Sequence, residues 1–168
     1  PLSDRGATRP NERKAPAALP PHGLMQRAGL AVARLALAVA PHARTVWVAC
    51  GPGNNGGDGL EVAVHLRGWG KDVMLTLAGD PARLPAAAAM SWRKCQQAGI
   101  ALATQPPRRW DLCIDALLGM GGVRALQGEL AALVQAINAG AGPVLALDQP
   151  TGLSGGTGNG DSIPATPT

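Results

Sequence analysis

Apolar positions along the chain follow two alternating rhythms. Leu24, Ala28, Ala31, Leu35 and Val39 recur at three- and four-residue steps and predict a helix stopped by Pro41. The run Thr45–Cys50 (TVWVAC) is largely apolar and rich in β-branched residues, which predicts a strand buried on both faces and ended by Gly51. The same alternation continues downstream. A helix is expected over 59–67, a strand over 73–78, a helix over 82–98 and a strand over 110–115. Leu126, Leu130, Leu133, Val134 and Ile137 mark a further helix, ended by Gly140 and Gly142, and 144–147 reads as a fourth strand. Strand, turn and helix alternating at βαβ spacing predict an α/β fold: a three-layer αβα, Rossmann-like single domain with a mostly parallel sheet.

Composition narrows the picture. Residues 1–21 carry Pro1, Pro10, Pro16, Pro20 and Pro21 among charged and small residues, with no apolar period, and read as a flexible N-terminal arm ahead of a domain over 22–168. The 168 residues are 46% hydrophobic and 15% charged, too apolar for a disordered chain and too often broken by Gly and Pro for a membrane span. Four Trp supply all the aromatic content, which leaves little for the stacking platforms that bind single-stranded nucleic acid. The net charge of +4 is partly held in the arm (Arg5, Arg9, Arg13, Lys14) and reads as a mildly basic solvated surface, so neither a nucleic acid nor a membrane is expected as partner. Cys50, Cys95 and Cys113 are widely spaced and unpaired by motif, as in a reduced cytoplasm.

Ligands of parallel sheets bind beyond the carboxyl ends of the strands. Three such ends carry small residues with carboxylates or amides: GPGNNGGDG after the first strand, DALLGMGGVRA after the third and DQPTGLSGGTG after the fourth. Gly51-x-Gly53-x-x-Gly56 matches the dinucleotide-binding pattern formally. However, the acid that should close the second strand of a dehydrogenase is poorly matched by Asp80, which lies behind Gly79. Asn54, Asn55 and Asp58 instead crowd oxygen donors into the turn, suited to an alkali or alkaline-earth cation, and Asp115 and Asp148 arrive at neighbouring strand ends. The competing reading of each Asp is a cap on the following turn.

GPGNNGGDGL, DALLGMGG and ALDQPTGL, in this order, resemble the NAD(P)H-hydrate epimerase family, also called the YjeF N-terminal domain, and the segment from Pro20 to Gly29 is similar to that family's opening helix. The resemblance implies an isomerase that interconverts the R and S forms of hydrated NADH and NADPH (NADHX and NADPHX), serving cofactor repair beside an ADP- or ATP-dependent dehydratase. It implies substrate contacts at Asn54, Asn55, Gly56, Gly57 and Asp58, along Gly119, Met120, Gly121, Gly122, Val123, Arg124 and Ala125, and at Asp148. It further implies a potassium ion held by Asn55, Asp115 and Thr151, a homodimer formed through the N-terminal region, and a domain truncated at its C-terminal end, since family members continue with a further strand and helix. Gln149-Pro150-Thr151 stands where the family usually has Ile-Pro-Ser, so the hydroxyl is kept with an added methyl group.

The chemistry is consistent with that implication. Inverting a hemiaminal carbon requires its C–O bond to break and reform. One carboxyl group can deliver the proton to the departing oxygen and take it back from the returning water. Asp148, flanked by Leu145 and Leu147, is the expected acid–base, and Arg124 is placed to meet a phosphate. Two other classes remain open: a catalytically impaired ligand-binding or protein-interaction module of the same fold, and an ordinary dehydrogenase.

Overall fold

The computed structural model describes residues 20–117 and 128–147. Helix α1 spans Pro21–Val39, strand β1 Thr45–Cys50, helix α2 Asn54–Gly68 and strand β2 Asp72–Leu77. A 3-10 turn at Pro81–Arg83 precedes helix α3 (Ala86–Gln97), strand β3 (Leu112–Ala116), helix α4 (Gly128–Ala139) and strand β4 (Val144–Ala146). The four strands form a parallel sheet in the order β2-β1-β3-β4. The order in which strands are added across the sheet therefore reverses between β1 and β3, and that switch point is where a crevice opens in sheets of this kind. A single parallel bridge, Leu75 to Leu102, extends the sheet beyond β2.

β1 is central because its sequence can be buried on both faces. Val46, Val48 and Cys50 point into a core shared with Ala33 and Ala36 of α1, Leu60, Val62 and Leu66 of α2, and Cys95 of α3. Trp47 and Ala49 alternate to the opposite face and pack with Cys113, Trp110 and α4 residues Leu133, Val134 and Ile137. Three helices thus cover one face and α4 the other, the three layers expected from the sequence.

Two expectations are corrected. α1 forms, but the stripe read from the sequence is not its buried face: Met25, Gly29, Ala33 and Ala36 are buried, whereas Leu24 is 54% and Leu35 40% exposed. Small residues win this face because they admit close backbone approach; a Cβ on Gly29 would overlap the Cβ of Glu61 on α2. α2 begins at Asn54 rather than at 59, so the NNGGD stretch is helical first turn and not loop. Smaller shifts occur elsewhere. Pro85 separates the 3-10 turn from α3, where one helix over 82–98 was expected, and β3 and β4 begin or end within two residues of their expected bounds. The expected flexible arm lies outside the described residues, apart from Pro20 and Pro21 at the start of α1. No described helix is long and apolar enough to cross a membrane.

Candidate functional site

The first turn of α2 is pressed against the ends of β1 and β3. Gly51 donates its N–H to the carbonyl of Ala116 at 2.8 Å, extending the β1–β3 pairing past Cys50. A Cβ on Gly56 would overlap the Gly51 carbonyl oxygen. Only glycine permits that contact, which brings the N-terminal end of the helix onto the switch point. Gly53 caps the helix in extended conformation and, lacking a side chain, supplies no capping bond to the first N–H groups of α2.

The predicted residues fall as follows. Asn54 is exposed, Gly56 and Gly57 are buried, and Asp58 is half-buried. Asp58 lies more than one turn inside α2, which removes its reading as an N-cap. It borders a cavity of about 150 Å³ together with Ala28, Val32, Leu35, Leu145 and Leu147. The side-chain amide of Asn55 is buried at both oxygen and nitrogen, and neither atom has a hydrogen-bond partner among the described residues. Asp115 pairs with Ala49 in the β1–β3 register and is 1% exposed. Its Oδ1 accepts from Leu117 N at 3.1 Å, so it caps the turn after β3 while remaining at the strand end. Its backbone oxygen accepts from Leu147 N at 3.0 Å, which carries the end of β4 to the same place. Gly119 to Ala125, Asp148 and Thr151 lie outside the described residues.

Asn55 and Asp115 each offer oxygen of the kind a hard cation takes. A buried amide oxygen without a partner and a buried carboxylate are oxygen ligands of the kind alkali ions accept, and an amide so buried costs about 1–3 kcal/mol when left unpaired. The cysteines offer no alternative chemistry. Burial raises the Cys50 and Cys113 thiols well above their ordinary range and Cys95 to about 12, so all three stay protonated and unreactive.

Sequence reasoning missed a second polar cluster. Glu61 of α2 is fully buried, and its carboxylate accepts from Ser91 Oγ at 2.6 Å and Lys94 Nζ at 2.7 Å, with His22 Nε2 at 3.3 Å. Burial would raise its pKa, but the bonds from Lys94 and Ser91, the Lys94 charge and the His22 bond together hold it below the ordinary glutamate value. Burial likewise lowers the pKa of neighbouring His65, against the opposing pull of Glu61. The available signal was Glu61 itself, an acid on an otherwise apolar helix face. Also missed was Glu129 in the first turn of α4, whose Oε1 accepts from Gly79 N at 3.1 Å just past β2. Asp80, the poor match for a ribose-binding acid, is engaged locally: its Oδ1 accepts from Ala82 N at 2.9 Å.

Comparison with known proteins agrees with this architecture. The family described as YjeF-related protein N-terminus matches residues 21–168. An NAD(P)H-hydrate epimerase of Bordetella pertussis (strain CS) is 43% identical over 136 residues, covering 80% of this chain and 60% of its own length. A counterpart of the same name in Rhodopirellula baltica is 39% identical over 142 residues, covering 80% and 58%. The bifunctional NAD(P)H-hydrate repair enzyme Nnr of Thermofilum pendens is 38% identical over 145 residues, 80% of this chain and 28% of that protein. The chain thus spans about three-fifths of the length of the Bordetella relative. Among solved structures, yeast ynu0 (YNL200c) superposes with a TM-score of 0.78 over 88% of this chain and 69% of its own, at 22% identity, a likeness of fold. With the family matched from the start of α1 to Thr168 and the glycine-stacked switch point in place, the chain belongs to the YjeF-related protein N-terminus family.

Proposed function

We propose that the chain is an NAD(P)H-hydrate epimerase domain, interconverting the R and S forms of NADHX and NADPHX. The observation that carries this reading is the orphaned, buried Asn55 amide at the β1–β3 switch point, on a helix whose N-terminal end is held there by the Gly51–Gly56 contact. The names of the Bordetella and Rhodopirellula relatives support it.

In this reading Asn55, Asp115 and Thr151 hold a potassium ion. When bound, the ion supplies fixed positive charge that offsets substrate phosphate and ties three strand-end segments together. The protein's own groups do the rest. The start of α2, from Asn54 to Asp58, receives the substrate beside N–H groups that favour negative charge. Residues Gly119 to Ala125 contact it further, with Arg124 meeting a phosphate. Asp148 protonates the departing hydroxyl at C6, the C–O bond breaks to leave a planar cation, and the same carboxylate takes the proton from the water that returns to the other face. Support for Asp148 comes from its predecessor: Leu147 is bonded through its N–H to Asp115.

Three associations complete the proposal. The bifunctional Thermofilum relative supports an ADP- or ATP-dependent dehydratase as functional partner. Exposed Leu24 and Leu35 on α1 support a homodimer through that helix. Three free, buried cysteines support a reducing cytoplasm.

The test is proton NMR of an NADHX mixture with and without the protein. Faster exchange between R and S signals, abolished in Asp148→Asn, is expected. Binding without accelerated exchange would instead identify an impaired ligand-binding module.

A further inference from the structure

A cavity of about 440 Å³ opens between the C-terminal end of β2 and the first turns of α4. Its size falls within the range of small-molecule sites. Thr76, Leu102 and Leu133 line it beside Thr104, Gln105 and Glu129. One side is therefore apolar enough to take the face of a base, and the other offers hydroxyl, amide and carboxylate groups. Glu129 is the one charged side chain among the described residues lining it. The carboxylate is held in place by its bond from Gly79 N.

Gly79, on the lining of the cavity, also touches the approach to the switch point. A Cβ on Gly79 would meet Pro52 Cβ at 3.3 Å, so the turn after β2 lies against the loop that leads into α2. Neighbouring strands are about 4.8 Å apart, which sets the cavity roughly 7–12 Å from the β1–β3 crevice. That offset matches a ligand whose two ends are joined by a pyrophosphate. In dinucleotide sites a carboxylate beside the second strand accepts from the adenosine ribose hydroxyls and disfavours a phosphate there. Asp80 is engaged with Ala82, whereas Glu129 reaches this position from α4.

We propose that this cavity binds the adenosine half of the dinucleotide substrate, and that Glu129 makes the chain favour the form without a 2′-phosphate, NADHX over NADPHX. The proposal rests on the epimerase reading for its substrate, but it is tested with fragments that cannot epimerise. ADP-ribose and 2′-phospho-ADP-ribose are titrated into the full chain by calorimetry. ADP-ribose is expected to bind about tenfold more tightly, the order of discrimination that one charged contact gives. Glu129→Gln keeps an acceptor for Gly79 N and is expected to bring the two affinities to within about threefold. Ala132→Trp, on the lining of the cavity, is expected to weaken ADP-ribose binding and to abolish its amide shifts at Gly79 and Thr104. Equal affinities in the unmodified protein, an unchanged ratio in Glu129→Gln, or ADP-ribose binding indifferent to Ala132→Trp overturns the proposal. R/S exchange of NADHX is scored separately: its loss with fragment binding intact removes the activity alone, and its retention without fragment selectivity removes the subsite alone.

Discussion

Glu61 and Lys94 form an ion pair of 2.7 Å in which the Glu61 side chain is wholly buried and the Lys94 side chain one-third exposed. The pair joins α2 to α3, and His22 brings α1 to the same carboxylate. Three helices on one face of the sheet therefore share a single buried negative charge. Their packing is tied to the helix whose first turn forms the candidate site.

Removing the cation alone should be costly. Lys94→Met is expected to lose about 1–3 kcal/mol, below the full range for breaking a buried pair because Lys94 partly reaches water. The double variant Glu61→Leu/Lys94→Met should recover most of that loss. Urea unfolding of the four proteins in a double-mutant cycle measures the coupling; additive losses would refute the arrangement.

Acid should weaken the same contact. Glu61 is held below its unfolded pKa, so its contribution is fully present above the unfolded value and is lost as pH falls through the folded one. The stability difference between the native protein and Glu61→Gln should be constant above about pH 5 and shrink steadily below about pH 4. Denaturant midpoints at stepped pH read this directly. A difference that widens on acidification would reverse the sign.

The approach of α2 to β1 makes Gly56 intolerant. Gly56→Ala should cost about 3 kcal/mol, at the upper end for overpacking because the obstruction is backbone, and lower the melting temperature by roughly 6–12 °C. Gly53→Ala is the control, since nothing lies within 4 Å of a Cβ there and φ is −105°. Equal melting temperatures for the two variants would count against the stacked turn.

Asn55 separates ion binding from folding. In sodium-free choline chloride, Asn55→Leu should be neutral or stabilising by about 1 kcal/mol, because an unpaired buried amide is removed. On exchange to potassium chloride of equal ionic strength, the native protein should gain stability with ion concentration and Asn55→Leu should not. Thermal denaturation in the two salts distinguishes them, and an identical potassium response would detach Asn55 from any ion.

Legibility in the sequence followed the physics of each element. TVWVAC announces a two-face-buried strand because every side chain after Thr45 is apolar, and Thr45–Cys50 is found as read. The Asn-Asn pair among glycines was readable as oxygen donors, and the Asn55 amide is buried without a hydrogen-bond partner among the described residues. That the helix starts at Asn54 was not readable. Gly56 and Gly57 are poor helix formers, and the turn exists because glycine can lie against the Gly51 carbonyl, a tertiary contact. The buried face of α1 was hidden for the same reason: Leu24 and Leu35 are bulkier, but Gly29, Ala33 and Ala36 allow the nearer approach. Glu129 meeting Gly79 across fifty positions has no local signature at all.

Trp110 has a further consequence. Its ring lies 6.1 Å from that of Trp47, and a Cβ on either Gly140 or Gly142 would strike it. The indole of Trp47 in turn donates to Thr76 Oγ1 at 2.9 Å. Since the chain has four Trp and no Tyr, its ultraviolet emission is indole light alone, and two of its four emitters sit as a close couple beneath α4. The polypeptide thus carries an internal optical gauge. Near-ultraviolet ellipticity reports whether that second layer has closed over the sheet, without any attached dye.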